Sequence, residues 1–142
     1  KEVEGATGSL HTNYEGKAQA AIDAFKRGDD LVYLHFEGPD EHGHGGQADL
    51  KTKAIEYIDS RALKPILEYL EGSGDDFGIM ILPDHPTPIS VRTHTREAVP
   101  YIIYSSKNQG NGIDTYSEKS CADGVYIPDG WKLMEYFIDL CK

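Results

Sequence analysis

Two side chains able to hold a metal ion lie four residues apart in one glycine-rich stretch of the chain. Asp40 and His44 stand in the sequence GPDEHGH. This spacing places both on one side of a single helical turn or tight loop, so a carboxylate oxygen and an imidazole nitrogen can converge on one ion. His42 would point elsewhere. An Asp and a His so close in sequence are also common as hydrogen-bonded surface pairs, so the motif alone leaves a structural role open.

Two further polar stretches follow along the chain. Asp84 and His85 are adjacent, and on a regular strand they would face opposite sides. The prolines of PDHPTP predict an irregular backbone at this point, which would let both side chains reach one cavity. His94, in SVRTHT, stands just before a predicted strand and adds a third imidazole.

These five residues form a mixed set of oxygen and nitrogen ligands. Carboxylate with neutral imidazole suits Zn²⁺, Mn²⁺, Co²⁺ or Fe²⁺ better than Mg²⁺ or Ca²⁺. Two ions sharing such a set, roughly 3.5–4 Å apart, could support phosphoryl transfer or metal-assisted hydrolysis. We predict a site for two divalent ions made by Asp40, His44, Asp84, His85 and His94. The alternative is a metal-free binding or structural module, in which the histidines only satisfy loops.

The elements that must position these residues alternate between helices and strands. Apolar spacing predicts three helices, at residues 16–27, 47–70 and 131–140. Short apolar runs predict three strands, at residues 31–36, 77–82 and 99–104. Pro65 should distort the second helix, because its ring displaces the carbonyl four residues earlier. This order indicates a layered α/β fold with a mostly parallel sheet flanked by helices, in which ligands bind beyond the carboxyl ends of the strands.

Length and charge limit the classes of protein. The chain has 142 residues, the size of one domain, so residues 1–142 are predicted to form a single domain. Its net charge of −10 supplies no basic field for a phosphate backbone or an anionic membrane, so neither nucleic acid nor membrane is expected as a partner. It has no apolar run near the roughly 20 residues that span a bilayer, and its two cysteines suit a reducing compartment. We expect a soluble, cytoplasmic protein.

The motifs together resemble one family. HFEGPDEHGHGG and ILPDHPTPISVRTHTREAVPYIIY, with TGSLHTNYEGKAQAA before them, are similar to the archaeal type of cofactor-independent phosphoglycerate mutase. That family belongs to the alkaline phosphatase superfamily of metalloenzymes. The group includes proposed bacterial homoserine kinases, which the chain resembles at least as closely. The resemblance covers nearly the whole chain and implies part of an alkaline phosphatase-like core. It also implies the C-terminal portion of a longer enzyme, whose N-terminal part and inserted substrate domain lie outside this chain.

The resemblance also implies roles, residue by residue. Asp40, His44 and His94 match the ligands of one metal. Asp84 and His85 match two ligands of a second metal, which an upstream aspartate and serine nucleophile would complete. Lys17 matches a lysine that contacts the phosphorylated serine, and its structural alternative is an exposed lysine at a helix start.

The reaction implied is the interconversion of 3-phosphoglycerate and 2-phosphoglycerate through a phosphoserine. Mn²⁺ or Zn²⁺ is the expected ion, with Co²⁺ or Mg²⁺ as alternatives. A homoserine kinase, or another phosphotransferase or phosphatase on the same two-metal core, is the alternative activity. The fragment by itself is expected to be inactive, and an exposed sheet face could lead to self-association.

Overall fold

Helices build most of the first half of the chain, for reasons visible in the local sequence. The computed structural model describes residues 2–108, 110, 112 and 114–142, and its first helix, α1, spans Tyr14–Lys26. The side-chain oxygen of Asn13 accepts a hydrogen bond from the Gly16 N–H at 2.8 Å, which caps the helix start. Gly28, with φ of 92°, follows the helix end and turns the chain. The predicted first helix is therefore confirmed.

The predicted long helix is also confirmed, with a distortion before Pro65. It follows a short helix, α2, at Gly38–His44. Three consecutive helical pieces make it up: α3 at Ala48–Tyr57, a π-helical turn at Ile58–Leu63 and α4 at Lys64–Ser73. Because Pro65 has no N–H and its ring crowds the preceding turn, a locally wider turn accommodates it. The helix buries Ala54, Ala62, Ile66 and Leu70 along one face, whereas Leu50 is 37% exposed.

The chain divides into two compact units. The first contains the residues up to Gly74 and Thr87–Thr95, and the second contains Asp75–Pro86 and Arg96–Lys142. In the first unit Tyr14 is 1% exposed and stacks on Phe36, with ring centroids 5.7 Å apart. The prediction that residues 1–142 form a single domain stays a prediction.

The strand predicted at residues 31–36 is wrong. These residues alternate between exposed and half-buried, as in an extended chain, but no described residue pairs with them as a neighbouring strand. Leu31 and Tyr33 are 58% and 75% exposed. A period-two pattern specifies an extended backbone, whereas a strand also needs a hydrogen-bonded neighbour that the pattern cannot supply.

The second unit contains a two-stranded sheet whose strand direction differs from the prediction. β1 at Gly78–Ile81 pairs with β2 at Ile102–Ser105 in an antiparallel register, with Gly78 opposite Ser105. The predicted mostly parallel sheet is therefore wrong for the described residues. A parallel pair needs a crossover connection that is usually a helix, and residues 82–101 contain none.

The closing helix of the second unit lies where the sequence predicts it. A 3₁₀ turn at Gly130–Lys132 leads into α5 at Leu133–Cys141, which buries Leu133 and Phe137. Phe137 and Cys141 lie against Gly78 of β1, where a Cβ atom would collide with the Cys141 sulfur. Helices and a small sheet are thus both present, in agreement with a protein of mixed α and β structure. Within the described residues, none of the helices has the length and apolar character that crossing a bilayer requires.

Candidate metal centre

The first part of the site lies on one short helix, α2, at Gly38–His44. Pro39 occupies its first turn, where a fixed φ favours helix and the missing N–H costs no hydrogen bond. Asp40 lies in the first turn and His44 in the last, so the spacing of four places both on one face. The distance from His44 Nε2 to Asp40 Oδ2 is 3.4 Å. The two side chains therefore lie together, and that they bind one ion stays a prediction.

His94 joins them from the segment Thr87–Thr95, which belongs to the same unit. Its Nε2 atom lies 3.1 Å from His44 Nε2 and 3.3 Å from Asp40 Oδ1. One ligand atom from each of the three residues lies within 4.8 Å of the others. The three side chains are 34–49% exposed, so an ion could reach them from solvent.

The donor set suits a transition-metal ion. His44 Nδ1 lies 3.0 Å from the carbonyl oxygen of Arg92, which can only accept, so Nδ1 carries a proton and donates it. In the neutral ring, Nε2 of His44 then offers a lone pair to the space shared with Asp40 and His94. In a tetrahedral zinc site with bonds of about 2.0–2.1 Å, neighbouring ligand atoms are about 3.3–3.4 Å apart, close to the separations found here.

Asp84 and His85 lie in the second unit, on the irregular backbone that the prolines predict. The His85 Nε2 atom is 3.4 Å from Asp84 Oδ2, and the His85 backbone N–H donates to Asp84 Oδ1 at 3.1 Å. The two side chains therefore adjoin one another, with 58% of Asp84 and 29% of His85 exposed. That they share a site with the other three residues stays a prediction.

Lys17 is half-buried on α1 rather than fully exposed. Its Nζ donates to the carbonyl oxygen of His35 at 2.7 Å and lies 4.7 Å from the centre of the Phe36 ring. Burial lowers the pKa of Lys17, and the Glu37 carboxylate acts in the opposite direction. The Lys17 ammonium is thus held beside two residues that lie just before the start of α2. Its contact with a phosphoryl group stays a prediction.

Two residues that the sequence did not single out hold the ligands in place. The Thr87 hydroxyl donates to Asp40 Oδ1 at 2.5 Å, and the Arg92 carbonyl oxygen accepts from His44. Both contacts join residues more than forty positions apart in the chain. The only sequence feature that pointed to Thr87 was its position within PDHPTP, between the predicted ligands.

One carboxylate and two imidazoles arranged in this way are typical of proteins that bind a divalent transition-metal ion. The chain belongs to the Metalloenzyme superfamily, whose family model matches residues 1–127. The family and the cluster thus both indicate divalent metal binding.

Relatives and a solved structure are similar to this chain in sequence and in fold. The chain is 53% identical over 124 residues to the 2,3-bisphosphoglycerate-independent phosphoglycerate mutase of Methanosarcina mazei, a match covering 87% of this chain and 31% of that protein. It is 40% identical over 138 residues to the 2,3-bisphosphoglycerate-independent phosphoglycerate mutase 2 of Methanothermobacter thermautotrophicus, covering 96% and 34%. The solved structure of the PH0037 protein from Pyrococcus horikoshii superposes with a TM-score of 0.83 at 29% identity, covering 97% of this chain and 41% of that one.

The resemblance found in the motifs is therefore confirmed at the level of the family. The chain spans about a third of the length of the two mutases it matches.

Proposed function

We propose that this chain is the C-terminal, metal-binding part of an archaeal-type 2,3-bisphosphoglycerate-independent phosphoglycerate mutase. The whole protein would interconvert 3-phosphoglycerate and 2-phosphoglycerate through a phosphoserine whose serine lies outside this chain. The convergence of Asp40, His44 and His94, with Nε2 atoms 3.1 Å apart, is the observation that carries the proposal. The names of the relatives supply the substrate class.

Each proposed site residue has a distinct task. Asp40, His44 and His94 hold one ion, and Asp84 with His85 supply two ligands of a second. When bound, the ions supply positive charge that stabilises a transferring phosphoryl group and activates a hydroxyl nucleophile. Lys17, held against the His35 carbonyl oxygen, contributes one further positive charge toward the phosphoryl oxygens.

The finer features of the proposal follow from the same resemblance. The two units form part of an alkaline phosphatase-like core, completed by the rest of the protein. The ions are Mn²⁺ or Zn²⁺, the ligand is a small phosphorylated substrate and the location is the cytoplasm.

Calorimetric titration with Mn²⁺ and with Zn²⁺ tests the metal site. Because Asp40, His44 and His94 are already together, we expect one tighter site per chain, lost in His44→Ala. His11→Ala is the matched control, since it removes an exposed histidine that is not part of the three-residue cluster. Equal and negligible binding by all three proteins would refute the site.

The activity requires the longer protein that carries this segment. We expect turnover of 3-phosphoglycerate and a loss of at least tenfold in kcat/KM for His94→Ala, because the remaining two ligands would hold the ion poorly. Turnover of homoserine with a nucleotide, without phosphoglycerate turnover, would identify a kinase on the same core instead.

A further inference from the structure

A buried threonine contacts the candidate metal centre without being one of its ligands. Thr87 is 4% exposed, and its hydroxyl oxygen lies 2.5 Å from Asp40 Oδ1. An ionised carboxylate can only accept hydrogen bonds, so the threonine is the donor. This contact fixes the rotation of the Asp40 carboxylate, whose other oxygen, Oδ2, faces His44 Nε2 at 3.4 Å.

The position of Thr87 is itself fixed from two sides. Lys51 of α3 donates from Nζ to the Thr87 carbonyl oxygen at 2.7 Å. Gly43 of α2 is buried, and a Cβ atom there would lie 2.7 Å from the Thr87 carbonyl oxygen and 2.9 Å from its methyl carbon. The absence of a side chain at Gly43 therefore lets the segment Thr87–Thr95 approach the helix that carries Asp40.

We propose that Thr87 is a positioning residue that orients the Asp40 carboxylate for metal binding. The proposal rests on the proposed metal centre and adds a group that would act through Asp40 rather than touch the ion. Hydrogen bonds that orient a ligand typically change metal affinity by about 10–100-fold when removed. The hydroxyl of Thr87, not its methyl group, carries this effect.

Two substitutions separate the hydroxyl from the shape of the side chain. Thr87→Val keeps the shape and removes the donor, so we expect a Kd for Zn²⁺ or Mn²⁺ raised by about tenfold or more. Thr87→Ser keeps the donor and loses the methyl group beside Gly43, so we expect affinity within about threefold of the parent chain, at a lower Tm. A purely structural role predicts the reverse order of affinities.

Calorimetric titration of the three proteins, with their Tm values, measures both effects. Thr95→Val is the matched control, because it removes a buried hydroxyl of the same segment that bonds no described residue. We expect it to leave the metal affinity unchanged. Equal affinity in Thr87→Val and the parent chain would overturn the positioning role while leaving the metal centre intact. If the parent chain itself bound neither metal, the proposed centre would fail first, and the two failures are thereby distinguished.

Discussion

At the scale of single residues, the chemistry of His44 depends on one backbone carbonyl. Arg92 presents this carbonyl from a left-handed conformation, with φ of 58°, which residues with a Cβ rarely adopt. A tight turn holds it there, since the backbone N–H groups of Val91 and Arg92 both donate to the Pro88 carbonyl oxygen, at 3.0 and 2.8 Å. The turn therefore holds the Arg92 carbonyl oxygen where it accepts the proton of His44 Nδ1. This leaves Nε2 of His44 able to bind an ion.

The cost of this conformation predicts a difference between two variants of Arg92. Asparagine tolerates the left-handed region, whereas a β-branched residue does not. We expect the free energy of unfolding of Arg92→Val to be about 1 kcal/mol lower than that of Arg92→Asn. Both variants lose the guanidinium, so the difference reports the backbone preference of the new residue. Denaturant titration measures the difference. Equal midpoints in the two variants would contradict a strained backbone at this position.

The sequence predicts these site residues to different degrees. Asp40 and His44 were predictable because a spacing of four has a fixed meaning on a helix. His94 was predictable as a candidate, but its approach to His44 across fifty residues depends on tertiary structure. Thr87 was not singled out, because a hydroxyl gains its role only from the carboxylate that the fold places beside it.

At the scale of elements, Arg61 ties the π-helical turn to α1. Its guanidinium donates to both carboxylate oxygens of Glu15, at 2.6 and 2.9 Å, and lies over the rings of Tyr14 and Tyr57, at 5.0 and 4.9 Å. The hydrogen bonds from Arg61 lower the pKa of Glu15 and raise that of Arg61. The pair is largely exposed, so its contribution to stability is about 0.5–1 kcal/mol.

This pair predicts a pH-dependent effect of Glu15→Gln. Because the pKa of Glu15 is lowered in the folded state, its stabilising charge is fully present above the unfolded pKa of about 4.3 and is lost as pH falls through the folded value. We expect Glu15→Gln to lower the free energy of unfolding by about 0.5 kcal/mol at pH 7 and by progressively less toward pH 3. Denaturant titration across this range is the measurement. Glu71→Gln is the control, since Glu71 is exposed and forms no ion pair among the described residues. A similar pH profile in Glu71→Gln would contradict the assignment of the effect to the Glu15–Arg61 pair.

The elements differ in how far local sequence determines them. The helices α1, α3 with α4, and α5 were predictable because apolar spacing acts within a few turns. The short helix α2 was not distinguished from a tight loop, because its glycine-rich sequence has no apolar spacing. Residues 31–36 have the alternating pattern of a strand, yet strand formation depends on a neighbour elsewhere in the protein. The antiparallel pairing of β1 and β2 was likewise not predictable from their apolar runs, which carry no information about direction.

At the scale of the whole molecule, a net charge of −10 attracts any divalent cation to the chain. This general attraction must be separated from coordination by imidazole. Ca²⁺ provides the comparison, because it carries the same charge as Mn²⁺ and Zn²⁺ but prefers oxygen ligands.

We therefore expect Zn²⁺ or Mn²⁺ to raise the Tm of the chain more than Ca²⁺ does at equal concentration and ionic strength. An ion at a hundred times its Kd stabilises the folded state by about 2.7 kcal/mol if it does not bind the unfolded chain. The excess over Ca²⁺ should vanish in His44→Ala, whereas the Ca²⁺ effect should remain and decline with added salt, since screening weakens attraction between a cation and dispersed surface charges. Thermal melts of the parent chain and of His44→Ala with each ion measure both contributions to the Tm. An equal rise with all three ions, unchanged by His44→Ala, would mean that the overall charge, not the three-residue cluster, binds the metal.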